Sequence, residues 1–554
     1  MNICMIHGYL LRGTGSNLFV NELVRSFCKK GHDVFLFCQE REAKNIDFIS
    51  EYYVFHDDNV HTDLMFKRKT RFPGKCILHN PNLQGLLPVY VYDEYKGFKV
   101  KVFPELKDSE IKNYIAFNRQ SIESVHEKAN FDVIQSNHVV MSPYIARSVW
   151  KKHKVPYYIT LHGSALNFTV RSDPKKFNPY AERSLLDAER IFAVSDHNRT
   201  EILSYFSNIA SKIERKFTVT PIGVDTKTFK LLKGAKRKSI NRLCSFLRKK
   251  IQKWNYGKTP ELKSEFLKEL RRATFEEIET LVSKYNNLYN HGYPDTDIVE
   301  TLKNINWEHD KIILFVGKYL QTKGIQIIIS AFPLILKELP NIHALFVGFG
   351  RYREELEALV FALQSNNRRL FKYLNKRNFR FFSEGVSSPF KFLEILEENG
   401  LDDFYFENAE KYSISEHIHF TGVLNHNELG FLLPCSDVFI ATSIIPEAFG
   451  MVAIESLSCG IYPILSYEAG FREIRQILRL SLGDLLEHPE IYVDENMVFN
   501  LAGNILSVLK NKELKNRTLK SDLRSVTLEH FTWKAVCERY LHEYKQGLER
   551  EEIK

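Results

Sequence analysis

Short apolar runs rich in Val, Ile and Phe alternate along this chain with helical patterns, and most of the runs end in glycine or a small polar residue. Runs without a polar face need cover on both sides, which a parallel sheet between two layers of helices supplies. In the first half they fall at 2–7, 33–38, 132–136, 157–161, 190–194 and 217–221. The second half repeats the pattern at 311–316, 343–347, 418–421, 438–442 and 462–466. The expectation is an α/β protein with two doubly wound domains in series. A length of 554 residues gives each domain room for its own core, and 44% hydrophobic with 26% charged residues excludes a largely disordered or collagen-like chain.

The first domain is expected over 1–226. Residues 227–308 read as a basic, helix-rich insert or linker, and 309–529 as the second domain, itself interrupted by a helical insert at about 355–414. A last helix at 532–547 carries Trp533, Val536, Tyr540 and Tyr544 on one face, so residues 530–554 are expected to pack back on the first domain.

Eight cysteines stand without a C-x-x-C pair or a Cys/His ligand spacing, which gives neither a zinc site nor a disulfide framework support. The first residues lack the basic start of a signal peptide, and no apolar stretch approaches the ~18 to 20 residues of a membrane span. A cytoplasmic protein is the expectation. The net charge of +9 is unevenly placed: residues 227–272 carry +13 and the rest of the chain −4. Such confinement argues against a general nucleic-acid binder. Within that segment Ile240, Leu243, Leu247, Ile251 and Trp254 recur at three and four, with Arg and Lys mostly elsewhere around the turn. This is an amphipathic helix whose apolar stripe either packs on the protein or rests on an anionic membrane, so peripheral contact at the inner membrane face through 232–272 stays open.

Ligands of open α/β sheets sit at the carboxyl ends of the strands, where helix N-termini point N–H groups outward. Four such places stand out in the second half. Lys318 and Lys323 follow the run at 311–316, Gly348-Phe349-Gly350 follows 343–347, and Gly422-Val423-Leu424 follows 418–421, where main-chain groups are placed to read a base edge. The fourth is the segment from Pro446 to Gly460, in which Glu447 is repeated as Glu455 after seven residues around Phe449, Gly450 and Met451. Two carboxylates flanking an anion-binding helix start suit a nucleotide sugar better than a hydrolase pair.

With these residues in order, the chain resembles the retaining GT-B glycosyltransferases of family 4. Gly13-Thr14-Gly15-Ser16 after the first strand, His162-Gly163-Ser164 after the fourth, Ser195-Asp196 after the fifth and Pro221-Ile222-Gly223-Val224-Asp225 at the hinge join the lysine pair and the glutamate repeat in carrying that resemblance. It implies two Rossmann-like domains facing a cleft, the first for the acceptor and the second for the donor. By the same resemblance Glu447 touches the donor sugar hydroxyls, Glu455 the ribose diol, Lys318 and Lys323 the pyrophosphate, and His162 the sugar's reacting face. Gly15, Gly348, Gly350, Val423, Phe449, Gly450 and Met451 complete the donor site. The family usually has arginine in place of Lys318 and adjacent glycines where Thr14 separates Gly13 from Gly15.

The implied activity is metal-independent, retaining transfer of a hexose from a UDP- or GDP-sugar to a glycan, glycolipid or small-molecule hydroxyl. No cofactor is expected, since the nucleotide sugar is a co-substrate. Asn137, His138 and Asp93 are candidate acceptor-pocket residues, against a purely structural role for each. A nucleotide-sugar epimerase of the same architecture and a non-catalytic sugar-nucleotide-binding protein are the competing readings. An NAD-dependent dehydrogenase is disfavoured because Gly13-Thr14-Gly15 lacks the third spaced glycine.

Overall fold

The computed structural model describes residues 1–13, 15–91, 97–378, 388–483, 490–511 and 517–552. The chain divides into two compact units, Met1–Gly223 with His530–Lys554, and Val224–Glu529.

In the first unit a nine-stranded sheet is built from β1 (Asn2–Ile6), β2 (Asp33–Phe37), β3 (Ile49–Phe55), β4 (Thr62–Lys67) and β5 (Cys76–Asn80), followed after a small parallel pair, β6 (Leu86–Val89) and β7 (Lys99–Val102), by β8 (Val133–Asn137), β9 (Tyr157–Thr160), β10 (Arg190–Ala193) and β11 (Phe217–Val219). The strand order is β11-β10-β9-β8-β1-β2-β5-β3-β4, parallel except for the β3–β4 pair. β1 shows why: Ile3, Cys4, Met5 and Ile6 are all buried, so the strand is covered on both faces. The apolar runs locate every large-sheet strand outside residues 40–130. Strands β3 to β7 lie inside that stretch, where the pattern is weak because β4 is half solvated and the buried β3 and β5 are interrupted by Ser50, Glu51, His79 and Asn80. β4 is the sheet edge and leaves Leu64 and Met65 exposed.

The helix Trp533–Glu552 belongs to this unit. Its Tyr540 ring stacks on Phe192 at 3.8 Å between centroids, and the Tyr540 hydroxyl is 2.8 Å from Thr160 Oγ1. Tyr544 donates its hydroxyl to Gln135 Oε1 at 2.7 Å. Two buried tyrosines thus bring apolar rings to the sheet while their hydroxyls find partners among β8 and β9 side chains.

The second unit has a five-stranded, all-parallel sheet: β12 (Lys311–Lys318), β13 (Ile342–Phe349), β14 (Ile418–Phe420), β15 (Val438–Ala441) and β16 (Pro463–Leu465), in the order β14-β13-β12-β15-β16. The order reverses at β12, which pairs with β13 on one side and β15 on the other. That reversal is where an open α/β sheet forms a crevice outside its strand ends.

The basic segment set at 227–308 is part of this unit. Its helices Pro260–Leu270 and Ile278–Asn286 contribute Phe266, Leu270, Ile278, Leu281 and Tyr285 to the same core as β12 and β13. Buried ion pairs add to this. Arg353 meets Asp295 through two hydrogen bonds of 2.6 Å, and Lys258, with no exposed surface, lies 2.9 Å from Glu354 and 2.6 Å from Glu357. The helix Lys236–Lys253 buries Ile240, Leu243 and Leu247, and its nearest helical neighbours are Ile298–Asn304 and His426–Leu432. The apolar stripe is therefore occupied by protein, which decides for the first of the two alternatives open to it. Its end, Trp254, stays 42% exposed. The second insert, at about 355–414, is helical where described, with Arg353–Gln364, Arg368–Asn378, Phe392–Glu398 and Asp402–Lys411. All eight cysteines are buried and free.

Candidate functional site

The crevice residues of the second unit follow from its register. Pairing of Gly317 with Gly348 and Lys318 with Phe349 sets the ends of β12 and β13 side by side, and the Lys318 ammonium lies 5.3 Å from the Phe349 ring centroid. A side chain at Gly348 has no room: a Cβ there would come within 1.8 Å of the Gly317 carbonyl oxygen, and its φ of +154° is one that side chains rarely adopt. Gly350, two residues on, lies against the Tyr319 backbone.

Lys323, in the turn after β12, forms an ion pair with Glu447, in the loop after β15. Ser443 Oγ lies 2.8 Å from the same carboxylate oxygen, so Glu447 is held from two sides. Its loop is closed by Gly470, whose N–H donates to the Glu447 carbonyl at 2.9 Å. Phe449 is buried and Gly450 caps the helix Met451–Ser458 in a left-handed conformation. Phe471 packs so closely on Gly450 that a Cβ would approach its ring to 2.3 Å. The helix start thus follows the loop whose Glu447 is paired with Lys323, and it is the helix N-terminus and the lysine that suit an anion. At the other end Arg524 donates to the Ser458 carbonyl at 2.6 Å and to the Phe229 and Thr226 carbonyls at 3.0 Å each, a cation where the helix dipole is negative.

Glu455, within that helix, is 3% exposed. Burial first, then the charge of Asp225, pushes its carboxyl up to about 8. Oε2 has no hydrogen-bond partner among the described residues, and Oε1 lies 3.7 Å from Nε2 of His426, a half-exposed histidine whose ring sits edge-on to Phe229. A largely protonated carboxyl both donates and accepts, which matches the two hydroxyls of a diol. Sequence reasoning missed Asp225 and His426 as the neighbours of Glu455, and Ser443 as a partner of Glu447. The signal for His426 is its place in the capping box of Asn425 and Glu428, which sets a helix start after β14.

The turn after β14 differs from expectation. Val423 donates its N–H to the Tyr293 carbonyl at 3.3 Å, Asp295 donates its N–H to the Thr421 carbonyl at 2.9 Å, and Gly348 donates to the Gly422 carbonyl at 3.0 Å. The Val423 N–H, expected to read a base edge, is thus already engaged by the basic segment.

In the first unit Gly15 opens the helix Gly15–Lys29, Thr14 lies outside the described residues, and the Asn17 side chain holds the turn: its Oδ1 accepts from His7 Nε2–H at 2.9 Å and its Nδ2 donates to the Arg12 carbonyl at 2.6 Å. Ser195 caps the helix Asp196–Tyr205 through the Asn198 N–H. His162, just past β9, donates Nε2–H to Asn137 Oδ1 at 3.2 Å, and burial foremost pushes its imidazole down to about 3, so it is neutral at physiological pH. Asn137 and His138 are fully buried. Both have structural partners, the other of the two roles open to them: the Asn137 amide bonds the Ile6 carbonyl and His162, and the His138 ring lies 4.2 Å from that of Tyr90. Asp93, the remaining acceptor candidate, lies outside the described residues.

Residues 13–228 match the family described as Glycosyltransferase Family 4, and residues 299–382 and 395–521 match the family described as Glycosyl transferases group 1. Over 140 residues the chain is 25% identical to one of the subunits of human phosphatidylinositol N-acetylglucosaminyltransferase, an alignment that covers 24% of this chain and 25% of that protein. Over 259 residues it is 22% identical to an uncharacterized glycosyltransferase of Methanocaldococcus jannaschii, covering 44% of this chain and 51% of the other. The alignments thus span a quarter and about half of these relatives. Among solved structures, a sucrose-phosphate synthase from Thermosynechococcus elongatus superposes with a TM-score of 0.53 at 16% identity, over 98% of each chain, which is a likeness of fold.

Proposed function

The chain belongs to the GT-B glycosyltransferases of family 4, and from that premise we propose that it transfers a hexose from a UDP- or GDP-sugar, with retention and without a metal ion, to a hydroxyl of a glycan, a glycolipid or a small molecule. The observation that carries this reading is the contact of Lys323 with Glu447, 124 residues apart, beside the N-terminus of the helix Met451–Ser458. Lys323, Lys318 and the N–H groups after Gly450 take the donor diphosphate. Glu447 takes the sugar hydroxyls and Glu455 the ribose diol.

In transfer the bond from the anomeric carbon to the diphosphate oxygen breaks, and the acceptor oxygen bonds to that carbon on the same face. The acceptor proton passes to the departing phosphate oxygen. Charge developing on the leaving group is stabilised by fixed cations and helix N–H groups, an effect worth about 3 kcal/mol for a single donor. His162, neutral and tied to Asn137, serves by hydrogen bonding to the sugar rather than as an acid. The likeness to a relative named for phosphatidylinositol supports a lipid-linked acceptor.

The reading is tested by incubating the protein with UDP-, GDP- and ADP-sugars. Thermal stabilisation by one nucleoside diphosphate, with slow hydrolysis releasing sugar of the donor's own anomeric configuration by NMR, is the expected result. Release of the opposite anomer overturns retention, and stabilisation by none of the nucleotides overturns the donor site.

A further inference from the structure

We propose that the outward face of the helix Lys236–Lys253 is a docking surface for an anionic lipid bilayer. The helix holds eight cations and no acidic residue. Two of the cations turn inward, Lys236 to Asp437 at 2.9 Å and Lys250 to Glu428 at 3.0 Å. Lys238, Arg242, Lys249 and Lys253 are exposed and make no ion pair among the described residues.

At 3.6 residues per turn these four fall within a band of about 60°, opposite Ile240, Leu243 and Leu247. They form a cationic stripe along a rod about 27 Å long. The side that meets the protein is separate from the side that meets solvent, so docking needs no rearrangement of the buried stripe.

The surface is not cationic alone. Phe246 is 55% exposed on the same side, and the chain leaving the helix presents Trp254 at 42% and Tyr256 at 53%. Lys253 Nζ lies 5.2 Å from the Trp254 ring centroid. Trp and Tyr next to a polybasic face fit a headgroup region, where an amphipathic ring is placed between water and acyl chains and each cation gains from anionic lipid. Nucleic acid would use the cations but has less use for aromatics clustered at one end. For the acceptor, docking rests on the transfer reading above and favours a lipid-linked hydroxyl within it; the surface itself uses no residue assigned to the donor.

The test sediments the full chain, without donor or acceptor, with phosphatidylcholine vesicles and with vesicles also containing phosphatidylserine. Binding to the anionic vesicles alone is expected, weakening from low to physiological salt as the Debye length shortens to about 8 Å. Changing Lys238, Arg242, Lys249 and Lys253 together to Gln should weaken binding by about tenfold or more, at an unchanged melting temperature because all four are exposed. Trp254→Ala alone should weaken it about threefold or more. Should the fourfold variant fail to fold, Lys249→Glu reads the same loss with one exposed change. No anionic preference at low salt, undiminished binding by the charge variants, or tighter binding to duplex RNA than to anionic vesicles would overturn the proposal. Because donor hydrolysis is measured separately, loss of vesicle binding leaves the transfer reading standing, and the reverse also holds.

Discussion

Lys323 and Glu447 meet as an ion pair between loops that follow the neighbouring strands β12 and β15. Both side chains are partly exposed, at 32% and 19%, so the pair adds little to stability and its charges are accessible to a ligand. Lys323→Ala should therefore leave the melting temperature nearly unchanged while lowering kcat/KM by the equivalent of about 2 to 4 kcal/mol. Steady-state kinetics with the preferred donor decide it: activity within threefold of the parent removes Lys323 from the diphosphate.

Glu447 and Glu455 should separate in kind. Glu447→Ala is expected to lower turnover more than affinity for the bare nucleoside diphosphate, whereas Glu455→Ala should weaken that affinity first. Calorimetric titration with the diphosphate beside turnover numbers checks both, and equal effects on the two quantities would erase the distinction.

Glu455 also predicts a pH dependence. Its carboxyl is raised from 4.5 to about 8 in the folded chain, so between those values the folded state keeps a proton that the unfolded chain has released. Its contribution is then fully present below pH 4.5 and lost as pH rises through about 8. Glu455→Gln, which stays neutral, should flatten the fall in melting temperature between pH 5.5 and 8.5. Parallel curves for parent and variant would contradict the buried, protonated carboxyl.

The Asp295–Arg353 pair, with side chains 1% and 2% exposed, makes a prediction for the basic segment. Asp295→Ala takes the bidentate carboxylate from a buried guanidinium, leaving it Glu357 at 2.9 Å, and should cost about 3 kcal/mol in urea unfolding. A loss below about 1 kcal/mol would mean that Lys263 and Glu357, the other charges at this cluster, rearrange to absorb it.

On the proposed mechanism, in which Lys318, Lys323 and helix N–H groups take the role of a divalent ion, transfer should persist in excess EDTA. Complete loss with chelator, restored by Mg²⁺ or Mn²⁺, would overturn this part of the mechanism.

The sequence by itself determined what local pattern can encode. Apolar runs covered on both faces announced all five strands of the second sheet and six of the nine in the first, and the chemistry following them marked Lys318, Lys323, Glu447 and Glu455 as candidates. Among the missed strands β3 to β7, β4 is a half-solvated edge with Leu64 and Met65 in water, and the buried β3 and β5 carry the polar residues Ser50, Glu51, His79 and Asn80, so none of these three displays a continuous apolar run. Only the tertiary structure decided which partner each group takes. It buried Asn137 and His138, tied the Val423 N–H to Tyr293, set Asp225 and His426 beside Glu455, and covered the stripe of Ile240, Leu243 and Leu247 with other helices. The physical reason is range. Strand and helix periods repeat within a few residues, whereas an ion pair such as Asp295–Arg353 or a burial such as that of His138 joins segments far apart in the chain, and no local pattern records which of them will meet.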